Sequence, residues 1–500
     1  MSHCIGIDFG TSNSMIAVYK EQGVIDIISS DSGKRFLPSV VYFKKENEVV
    51  IGDNAKSMQL LESEQTIANI KRYLGTDKEF EQFGNTYKPE ELAGLIFKKL
   101  MMTYQDYSGE EDASAVITVP AYFDHYQREA VRSAAEYAGF NVLRLLNEPT
   151  SAALYYNNIG KNTGETCLVF DLGGGTLDIS IIEMDVDSCS VILTGGSTEI
   201  GGVDFDIAVA DYFIENFRSK HGIDLKSDPI AYQQLLFQAE KAKVELSSLN
   251  EVNVVVPYIT ISKEGPLHFK DSIDRDTFSR VTAPITAKIR TIIEKLLENG
   301  EMEIKDIDRV LPVGGASRIH SVRGLIWDMF NGTVKKDMNP EEAVACGAAV
   351  NAAMLKGVLK DKTFNDVTAH NLGIEDDNGN FQAILNRNEI YPVEFSMEFT
   401  TASEDTERVK VHILQDMARS SLNTSDSVSE NPEQFVSLGE FEIETKASEE
   451  SEEPTIEVTF SIDNSGIISV NAAHLNSGSK GDFTLRMTIK NESLNKIGIF

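Results

Sequence analysis

Two stretches of the sequence repeat one arrangement of residues that could bind phosphate and a metal ion. In each, an apolar strand ends in an aspartate that is followed by glycine and a hydroxyl residue: Asp8 lies in residues 5–14 and Asp171 in residues 168–178. Glycine lets the backbone turn sharply, so that its N–H groups converge on an anion beside the carboxylate. Two such turns facing each other would hold the phosphates of a nucleotide, with both aspartates reaching the metal ion that screens them.

A single glycine-rich turn is more often only a tight hairpin, and that alternative applies to each copy alone. The repetition favours the interpretation that the two turns face each other as a nucleotide clamp, holding the phosphates between them. A third element supports it, because residues 310–318 run from a strand into Gly314 and Gly315 and then into a helix whose first turn could face a base or a sugar. A helix rich in alanine and glycine, started by proline, is predicted over residues 339–354 and should pack closely.

These motifs and several others, in this order along nearly the whole chain, make the sequence similar to the DnaK-type members of the seventy-kilodalton heat-shock chaperone family. The other matching segments are residues 70–72, 119–123, 147–150, 201–206 and 245–248. The resemblance implies an α/β actin-like ATPase domain of the duplicated ribonuclease H-like kind, followed by an all-β sandwich. It also implies hydrolysis of ATP to ADP and phosphate with Mg²⁺, coupled to the binding of extended apolar peptides.

Composition and pattern agree with two or more folding units in a chain of 500 residues. We expect the ATPase domain at 1–361, a linker at 362–368 and the sandwich at 369–500. Helices are predicted at 90–103 and 231–247. Sandwich strands are predicted at 408–414, 441–445, 455–462, 466–472 and 483–489, with acidic solvated loops at 420–433 and 446–454.

The net charge of −32 argues against nucleic acid and acidic membranes as partners, although an acidic surface often serves solubility alone. The sequence has no apolar run long enough to span a bilayer and no secretory signal at its start, so a cytoplasmic location is expected. The four scattered cysteines lack metal-ligand spacing and are expected to be buried thiols: Cys4, Cys167, Cys189 and Cys346.

The resemblance assigns roles in the reaction to residues of the two turns and of two neighbouring motifs. Lys71 would meet the γ-phosphate, and Asp8 and Asp171 would hold Mg²⁺ mostly through its waters. Glu148 and Thr176 would orient the attacking water and the transferred group, with Asp178 nearby. The implied phosphate contacts are Gly10, Thr11, Ser12, Asn13, Gly173, Gly174, Gly175, Thr176, Gly201 and Gly202.

Each role has a structural alternative when its residue is taken alone. Lys71 could be a surface lysine, and residues 148–150 could be an ordinary helix start with an acid and a proline in the first turn. The implied nucleoside contacts are Glu240, Lys243 and Ser247 on one helix face, opposite Gly314, Gly315, Ser317 and Arg318. Val244 stands where some relatives place an arginine under the adenine, so the base would meet an apolar contact.

For the sandwich, the resemblance implies a peptide pocket lined by Ile374, Phe399, Val409 and Val411, with Ala402 on one side of an arch. The alternative is that these apolar residues form only the sandwich core. Asp377 lies where an apolar arch partner is usual, so a closed apolar arch would be weaker there or basic peptides favoured.

The resemblance also assigns residues to communication between the domains. Pro120 and Arg128 match a switch, while Arg144, Asn147, Thr150 and Asp366 match positions used by J-domain cochaperones and by the linker. A nucleotide exchange factor is a further partner that the sequence does not specify.

The linker carries one apolar anchor, Phe364, where family members carry several leucines, so coupling is expected to be weaker than in those relatives. The region between residues 75 and 90 is shorter than usual, and the chain ends soon after the last predicted strand without a helical lid. Bound peptide would then leave quickly. These departures resemble a specialised HscC-like branch, although a shortened chain would end in the same way.

Two other classes of protein use the same nucleotide clamp, namely actin-like filament or scaffold proteins and small-molecule kinases. A filament protein would leave the sandwich unexplained, and no appended sequence suggests an acceptor pocket for a kinase.

Overall fold

The computed structural model describes residues 3–20, 23–160, 164–263, 265–331, 334, 339–360, 362–376, 378–400, 408–417, 434–444, 455–475, 480–484, 487–489 and 492–500. Within these ranges, two α/β lobes face each other across a cleft, and a β-sandwich packs against them. The repeated aspartate turns lie on opposite sides of that cleft.

Lobe I is built on a sheet that contains the first aspartate turn. Its strands are β1 (Cys4–Phe9), β2 (Asn13–Tyr19), β3 (Ile25–Ile27), β4 (Leu37–Pro38), β10 (Ala113–Val119) and β11 (Phe140–Asn147). Their order is β11-β10-β1-β2-β3, and β4 also pairs with β2. β1 and β2 form the antiparallel hairpin, and β10 runs parallel to β1 on its other side.

Smaller elements complete lobe I. The strands are β5 (Val41–Lys45), β6 (Glu48–Ile51), β7 (Thr66–Ile67), β8 (Phe80–Gln82) and β9 (Asn85–Tyr87); the helices are α1 (Asp53–Met58), α2 (Pro89–Ser108) and α3 (His125–Tyr137). Short 3-10 helices occupy Ser63–Gln65 and Ile70–Tyr73, and the second carries Lys71. Asp124 caps α3 by accepting the N–H of Gln127, so this helix begins where a carboxylate meets its positive end.

Lobe II repeats the arrangement. Its strands are β12 (Glu165–Leu172), β13 (Leu177–Met184), β14 (Ser188–Ser197), β15 (Glu251–Ser262), β16 (Gly265–Asp274) and β17 (Arg309–Val313); its helices are α5 (Gly202–His221), α6 (Pro229–Glu245), α7 (Arg275–Val281), α8 (Ala283–Asn299) and α9 (His320–Phe330). β12 and β13 form the second antiparallel hairpin, and β17 runs parallel to β12. The matching strand relations confirm the predicted duplication and an actin-like α/β fold.

Two helices, α4 (Glu148–Ile159) and α10 (Ala343–Leu355), pack against each other between the sheets. The contact requires glycine. A Cβ added at Gly347 would lie 1.7 Å from the carbonyl oxygen of Ser151, and one at Gly6 would lie 2.1 Å from the amide nitrogen of Ala349. The small residues of the predicted 339–354 helix therefore serve close packing, although the helix itself begins only at Ala343.

The sandwich consists of two antiparallel sheets. Their strands are β19 (Asn371–Glu375), β20 (Phe381–Leu385), β22 (Val393–Thr400), β23 (Arg408–Asp416), β24 (Phe435–Glu444), β25 (Thr455–Ile462), β26 (Ile468–His474) and β27 (Lys480–Thr484). The orders are β20-β19-β23-β24 and β22-β25-β26-β27. The position of the strand predicted at 483–489 is wrong, since the strand found in this region, β27, ends at Thr484. Both predicted acidic loops lie almost wholly outside the described residues.

Two strands tie the sandwich region to the lobes. β18 (Thr363–Val367) runs parallel to β14 and pairs with β21 (Ile390–Tyr391), so the expected linker is part of the lobe II sheet. β28 (Gly498–Ile499) joins the edge of β6 in lobe I. Just before it, a 3-10 helix at Glu492–Lys496 buries Leu494 completely.

The four cysteines are buried and form no disulfide, as expected. None of the helices that the structure describes is long and apolar enough to cross a membrane.

Candidate nucleotide site

The cleft between the lobes holds a cavity of about 640 Å³ that both aspartate turns line. Its size lies within the usual range for small-molecule sites, roughly 300–1,000 Å³. Most of the sequence-predicted residues contribute to its wall: Asp8, Gly10, Thr11, Ser12, Asn13, Lys71, Glu148, Asp171, Gly173, Gly174, Thr176, Gly202, Glu240, Lys243, Ser247, Gly314, Gly315 and Arg318. The fold thus brings residues from both halves of the chain to one cavity.

Three predicted contacts lie behind this wall. The carbonyl of Gly175 accepts hydrogen bonds from the Arg72 guanidinium. A Cβ at Gly201 would come within 2.5 Å of Gly175, so glycine lets α5 begin close to the phosphate turn. The Ser317 hydroxyl donates to the carbonyl of Gly314 at 2.7 Å. These residues shape the turns that line the cavity.

A buried group of acids surrounds one lysine at the centre of the cleft. Lys71 Nζ donates to Glu148 Oε1 at 2.6 Å, and both side chains are almost fully buried. Burial, reinforced by the neighbouring Glu148 carboxylate, raises the pKa of Asp8 to about 7 and that of Asp178 to about 7. For the same reasons the pKa of Asp171 lies well above its usual range. One ammonium group cannot balance four carboxyl groups, so the site favours an additional cation.

The donors fit a magnesium ion that keeps much of its water. Hard carboxylate oxygens are ligands that Mg²⁺ prefers, and Mg²⁺ is usually held by one or two carboxylates together with phosphates and waters. Within the described part of the chain, no three acid, histidine or cysteine side chains form a metal cage by themselves. Asp178 Oδ2 is buried there without a hydrogen-bond partner. Asp8 and Asp171 therefore suit an ion bound mainly through water.

The opposite end of the cavity is more exposed and less acidic. Lys243 Nζ donates to Asp206 at 2.8 Å and to the carbonyl of Gly202 at 3.0 Å, which fixes the lysine at the start of α5. Val244 is 62% exposed and lines the cavity, so it presents an apolar side chain where the contact with the adenine is predicted. Phe36 and Ile319 also line this cavity. Sequence reasoning missed them because neither belongs to a recognisable motif.

Two ion pairs join the lobes across the mouth of the cleft. Lys56 of α1 contacts Glu240 of α6 at 2.7 Å, and the Arg72 guanidinium pairs with Asp204 at the start of α5. The partners are separated by 184 and 132 positions in the chain. No local pattern connects them, so these contacts between the lobes could not be predicted from the sequence.

A buried arginine forms the contact surface between lobe I and the sandwich. Arg128 donates to the carbonyls of Ala121 and Phe123 and to Asn147 Oδ1 at 2.6 Å. The turn at Gly466 packs over its guanidinium, where an added Cβ would lie 3.1 Å from Nη1. Pro120 is buried directly after β10. Of the two residues assigned to a switch, Arg128 thus lies against the docked sandwich.

The strand β18 supplies the second interdomain contact. The Thr150 hydroxyl donates to the buried carboxylate of Asp366 at 2.8 Å, and the Arg144 guanidinium lies 4.8 Å from the ring centroid of Phe364. Val367, which is 2% exposed, provides a second apolar anchor. Val367 follows the aspartate, so Phe364 is still the one apolar anchor in residues 362–366 that precede it.

The docked arrangement should weaken in acid because of His370. The imidazole is buried between lobe I and the sandwich, with Nε2 3.1 Å from the carbonyl oxygen of Tyr122. Burial lowers the pKa of His370 to about 4, and Arg128 and Arg387 act in the same direction. Undocking exposes the ring, whose pKa then returns to about 6.5. The undocked state binds more protons between these values, so docking loses stability as pH falls from about 6.5 towards 4.

We expect a drop from about pH 7.5 to about pH 5.5 to lower the docking equilibrium constant about tenfold. The measurement is FRET between dyes at the exposed positions Lys305 and Phe395. Asp366, which docking also buries, has a raised pKa and works in the opposite sense. His370→Gln keeps a hydrogen-bond donor for the Tyr122 carbonyl but removes the titrating imidazole. Comparison with this variant therefore isolates the contribution of the histidine to the pH response. An equal pH response in this variant would contradict the assignment.

The predicted peptide-pocket residues share one apolar cluster in the sandwich. Ile374 and Val411 are buried, and Phe399 and Val409 pack partly buried against the same cluster. In this arrangement they are core residues, as the structural alternative held. Ala402 and Asp377 lie outside the described residues.

Comparison with known proteins agrees with this architecture. A family model described as "Hsp70 protein" matches residues 4–496. A protein named "Chaperone protein DnaK" from Thermosipho melanesiensis is 39% identical over 501 residues, covering 99% of this chain and 82% of that protein. A protein of the same name from Thermotoga petrophila is 40% identical over 481 residues, covering 95% and 78%. These matches exclude the filament and kinase alternatives. The chain belongs to the Hsp70 family of ATP-hydrolysing chaperones.

Proposed function

We propose that this chain binds Mg–ATP in the cleft and uses its hydrolysis to control how the sandwich holds extended apolar polypeptide. The observation that carries the proposal is the convergence of two aspartate turns and Lys71 on one cavity of about 640 Å³. The docked sandwich adds the link to substrate, because Asn147, the residue before Glu148, is hydrogen-bonded to Tyr391 and to Arg128 at the docking surface.

In the proposed reaction, the protein mainly positions the reacting groups and neutralises the charge of the phosphates. Lys71 contacts the γ-phosphate, and Thr11 and Ser12 donate hydrogen bonds to phosphate oxygens. Asp8 and Asp171 would hold Mg²⁺ mostly through its waters, and the bound ion would supply positive charge that neutralises the phosphates. Glu148 is fixed by Lys71 and accepts a hydrogen bond from the attacking water, while Thr176 orients the transferred group. Such positioning is the usual source of rate enhancement in phosphoryl transfer.

The adenosine is proposed to occupy the more exposed end. Glu240, Lys243 and Ser247 of the α6 region contact the nucleoside from one side, and Gly314, Gly315 and Arg318 from the other. Ser317 supports the turn from behind the cavity wall, through its hydrogen bond to Gly314.

We further propose the division into an ATPase domain at 1–361, a connecting segment at 362–368 and a substrate-binding sandwich at 369–500. We propose that Arg144, Asn147, Thr150 and Asp366, which the fold gathers around β18, serve a J-domain cochaperone and the linker between them. Because Ile374 and Val411 are packed in the core, the sandwich must rearrange before a peptide can contact them. Peptide binding and docking should therefore oppose each other.

The proposal is tested by titrating an extended apolar peptide while ATP hydrolysis and interdomain FRET are recorded together. We expect hydrolysis to rise and the docked population to fall with the same midpoint. A rise in hydrolysis without any loss of docking would reject the proposed opposition, and no response of either signal would reject the coupling itself.

The cross-lobe pair between Lys56 and Glu240 should slow nucleotide release. Lys56 is absent from the cavity wall, and its side chain is 27% exposed. We expect Lys56→Met to accelerate ADP release about three- to tenfold, because a partly exposed pair contributes roughly 1 kcal/mol. Stopped-flow release of a fluorescent ADP provides the measurement. Lys241→Met is the matched control, since the one ion pair of Lys241 among the described residues is with Glu245 of its own helix, at 3.9 Å. Equal rates in the two variants would contradict the prediction.

A further inference from the structure

A second cavity, of about 480 Å³, lies where lobe II meets the sandwich and is separate from the nucleotide cleft. One wall is the end of β14 with Thr194 and Ser197, and another is a face of α8. The loop between β20 and β21 contributes Arg387 from the sandwich, and Asn388 of that loop accepts the N–H of Thr194 at 3.4 Å. The docked sandwich therefore supplies one side of this cavity, through Arg387.

Three cations border this cavity. Lys288 and Lys295 are seven positions apart on α8 and lie on the same face of the helix, and Arg387 faces them from the sandwich. Among the residues whose positions the structure gives, none of the three side chains forms a hydrogen bond or ion pair. Glu199 is the one acid in the lining. Unpaired cations are unexpected in a chain with 78 acidic and 46 basic residues, where counter-ions are abundant.

Most of the remaining lining is apolar or already hydrogen-bonded. Ile200 and Leu296 are buried, Ile292 is half-buried, and the ring of Tyr122 closes the side towards lobe I. The hydroxyl of Thr291 donates to the Ala287 carbonyl. The donors left for a ligand are therefore the cationic side chains and the Asn299 amide, above an apolar floor.

From this chemistry we infer that the cavity binds a small amphipathic anion, with its charged head on Lys288, Lys295 and Arg387 and its apolar body against Ile200, Ile292 and Leu296. Charge complementarity selects the head, and burial of apolar area holds the body. Because Arg387 belongs to the sandwich and the lysines to lobe II, the bound anion bridges the two and favours docking. The inference rests on the docked geometry and not on the proposed roles of the cleft residues.

The test uses the full chain and the probe 8-anilinonaphthalene-1-sulfonate, with excess apolar peptide omitted in one series and present in another. We expect saturable binding in the absence of peptide and a higher docked fraction by FRET. Lys288→Gln with Lys295→Gln should weaken binding about tenfold or more, and Arg387→Gln about threefold or more. Arg290→Gln is the matched control on the same helix, because Arg290 contacts Glu294 and does not line the cavity.

Circular dichroism melts establish that each variant is folded. Equal probe affinity in the control and the double lysine variant would overturn the site. Dependence on the lysines without dependence on Arg387, or binding that leaves the docked fraction unchanged, would overturn the bridging. Since the readouts are binding and docking, failure here is distinguishable from failure of ATP hydrolysis.

Discussion

Replacing Lys71 with methionine is expected to lower the ATP turnover number about 10²–10³-fold while leaving the Kd for Mg–ATP within about threefold. Lys71 is the ammonium group buried among the cleft carboxyl groups, 2.6 Å from Glu148. Its charge stabilises the transferred phosphoryl group more than the bound triphosphate, so its loss affects turnover more than binding. Single-turnover hydrolysis and calorimetric titration measure the two quantities separately.

The variant also leaves Glu148 buried beside Asp8 and Asp171 without its cation, which costs about 3–5 kcal/mol of stability. A double variant, Lys71→Met with Glu148→Gln, removes this penalty and serves as the folding control. We expect it to recover most of the lost melting temperature but none of the lost turnover. Because Glu148 is itself proposed to contact the attacking water, the double variant reports on folding alone. A folded Lys71→Met variant that kept the turnover of the unaltered chain would show that Lys71 takes no part in the reaction.

Replacing Asp366 with alanine is expected to release the sandwich from the lobes. The carboxylate accepts hydrogen bonds from the Thr150 hydroxyl at 2.8 Å and from the Val367 N–H at 2.9 Å. Its removal leaves these donors buried and unsatisfied, at a cost of about 2–3 kcal/mol, which corresponds to roughly a hundredfold loss in the docking equilibrium. FRET between Lys305 and Phe395 and amide exchange across Thr363–Val367 record the change.

Asp366→Asn is the matched control. Its amide retains an acceptor for Val367, and the Thr150 hydroxyl can rotate to accept from the new NH₂ group. We expect docking in this variant to weaken by less than about tenfold. Slow amide exchange in β18 that persisted in the alanine variant would show that the β14 pairing alone fixes the segment.

The nucleotide cleft could be predicted from sequence because its parts are local motifs. An aspartate at the end of an apolar strand followed by glycine specifies a hairpin wherever it occurs, and two copies indicated the duplicated fold. The positions of Asp8 and Asp171 then follow from the parallel neighbours, β10 and β17. Lys71 and Glu148 were found through the resemblance, since either residue alone also suits a surface lysine or a helix start.

Other features could not be predicted because they depend on contacts between distant segments. The Lys56–Glu240 and Arg72–Asp204 pairs join residues that share no pattern. The strands at 371–375 and 381–385 were missed, and their five-residue lengths leave little periodicity to detect. The segment that ends in β28 pairs with β6 from the other end of the chain, and no composition signal marks it as a strand. Docking itself, and hence the burial of His370, is a property of the assembled domains.

The binding of Mg–ATP by the two aspartate turns is tested most directly by the rise in melting temperature that Mg–ATP produces. For the unaltered chain, saturating Mg–ATP at about 100 times its Kd should add roughly 2.7 kcal/mol and raise the melting temperature by a few degrees, and chelating Mg²⁺ should remove most of that rise. With Asp8→Asn and Asp171→Asn together, the magnesium-dependent part should disappear. An undiminished magnesium-dependent rise in this double variant would contradict the account.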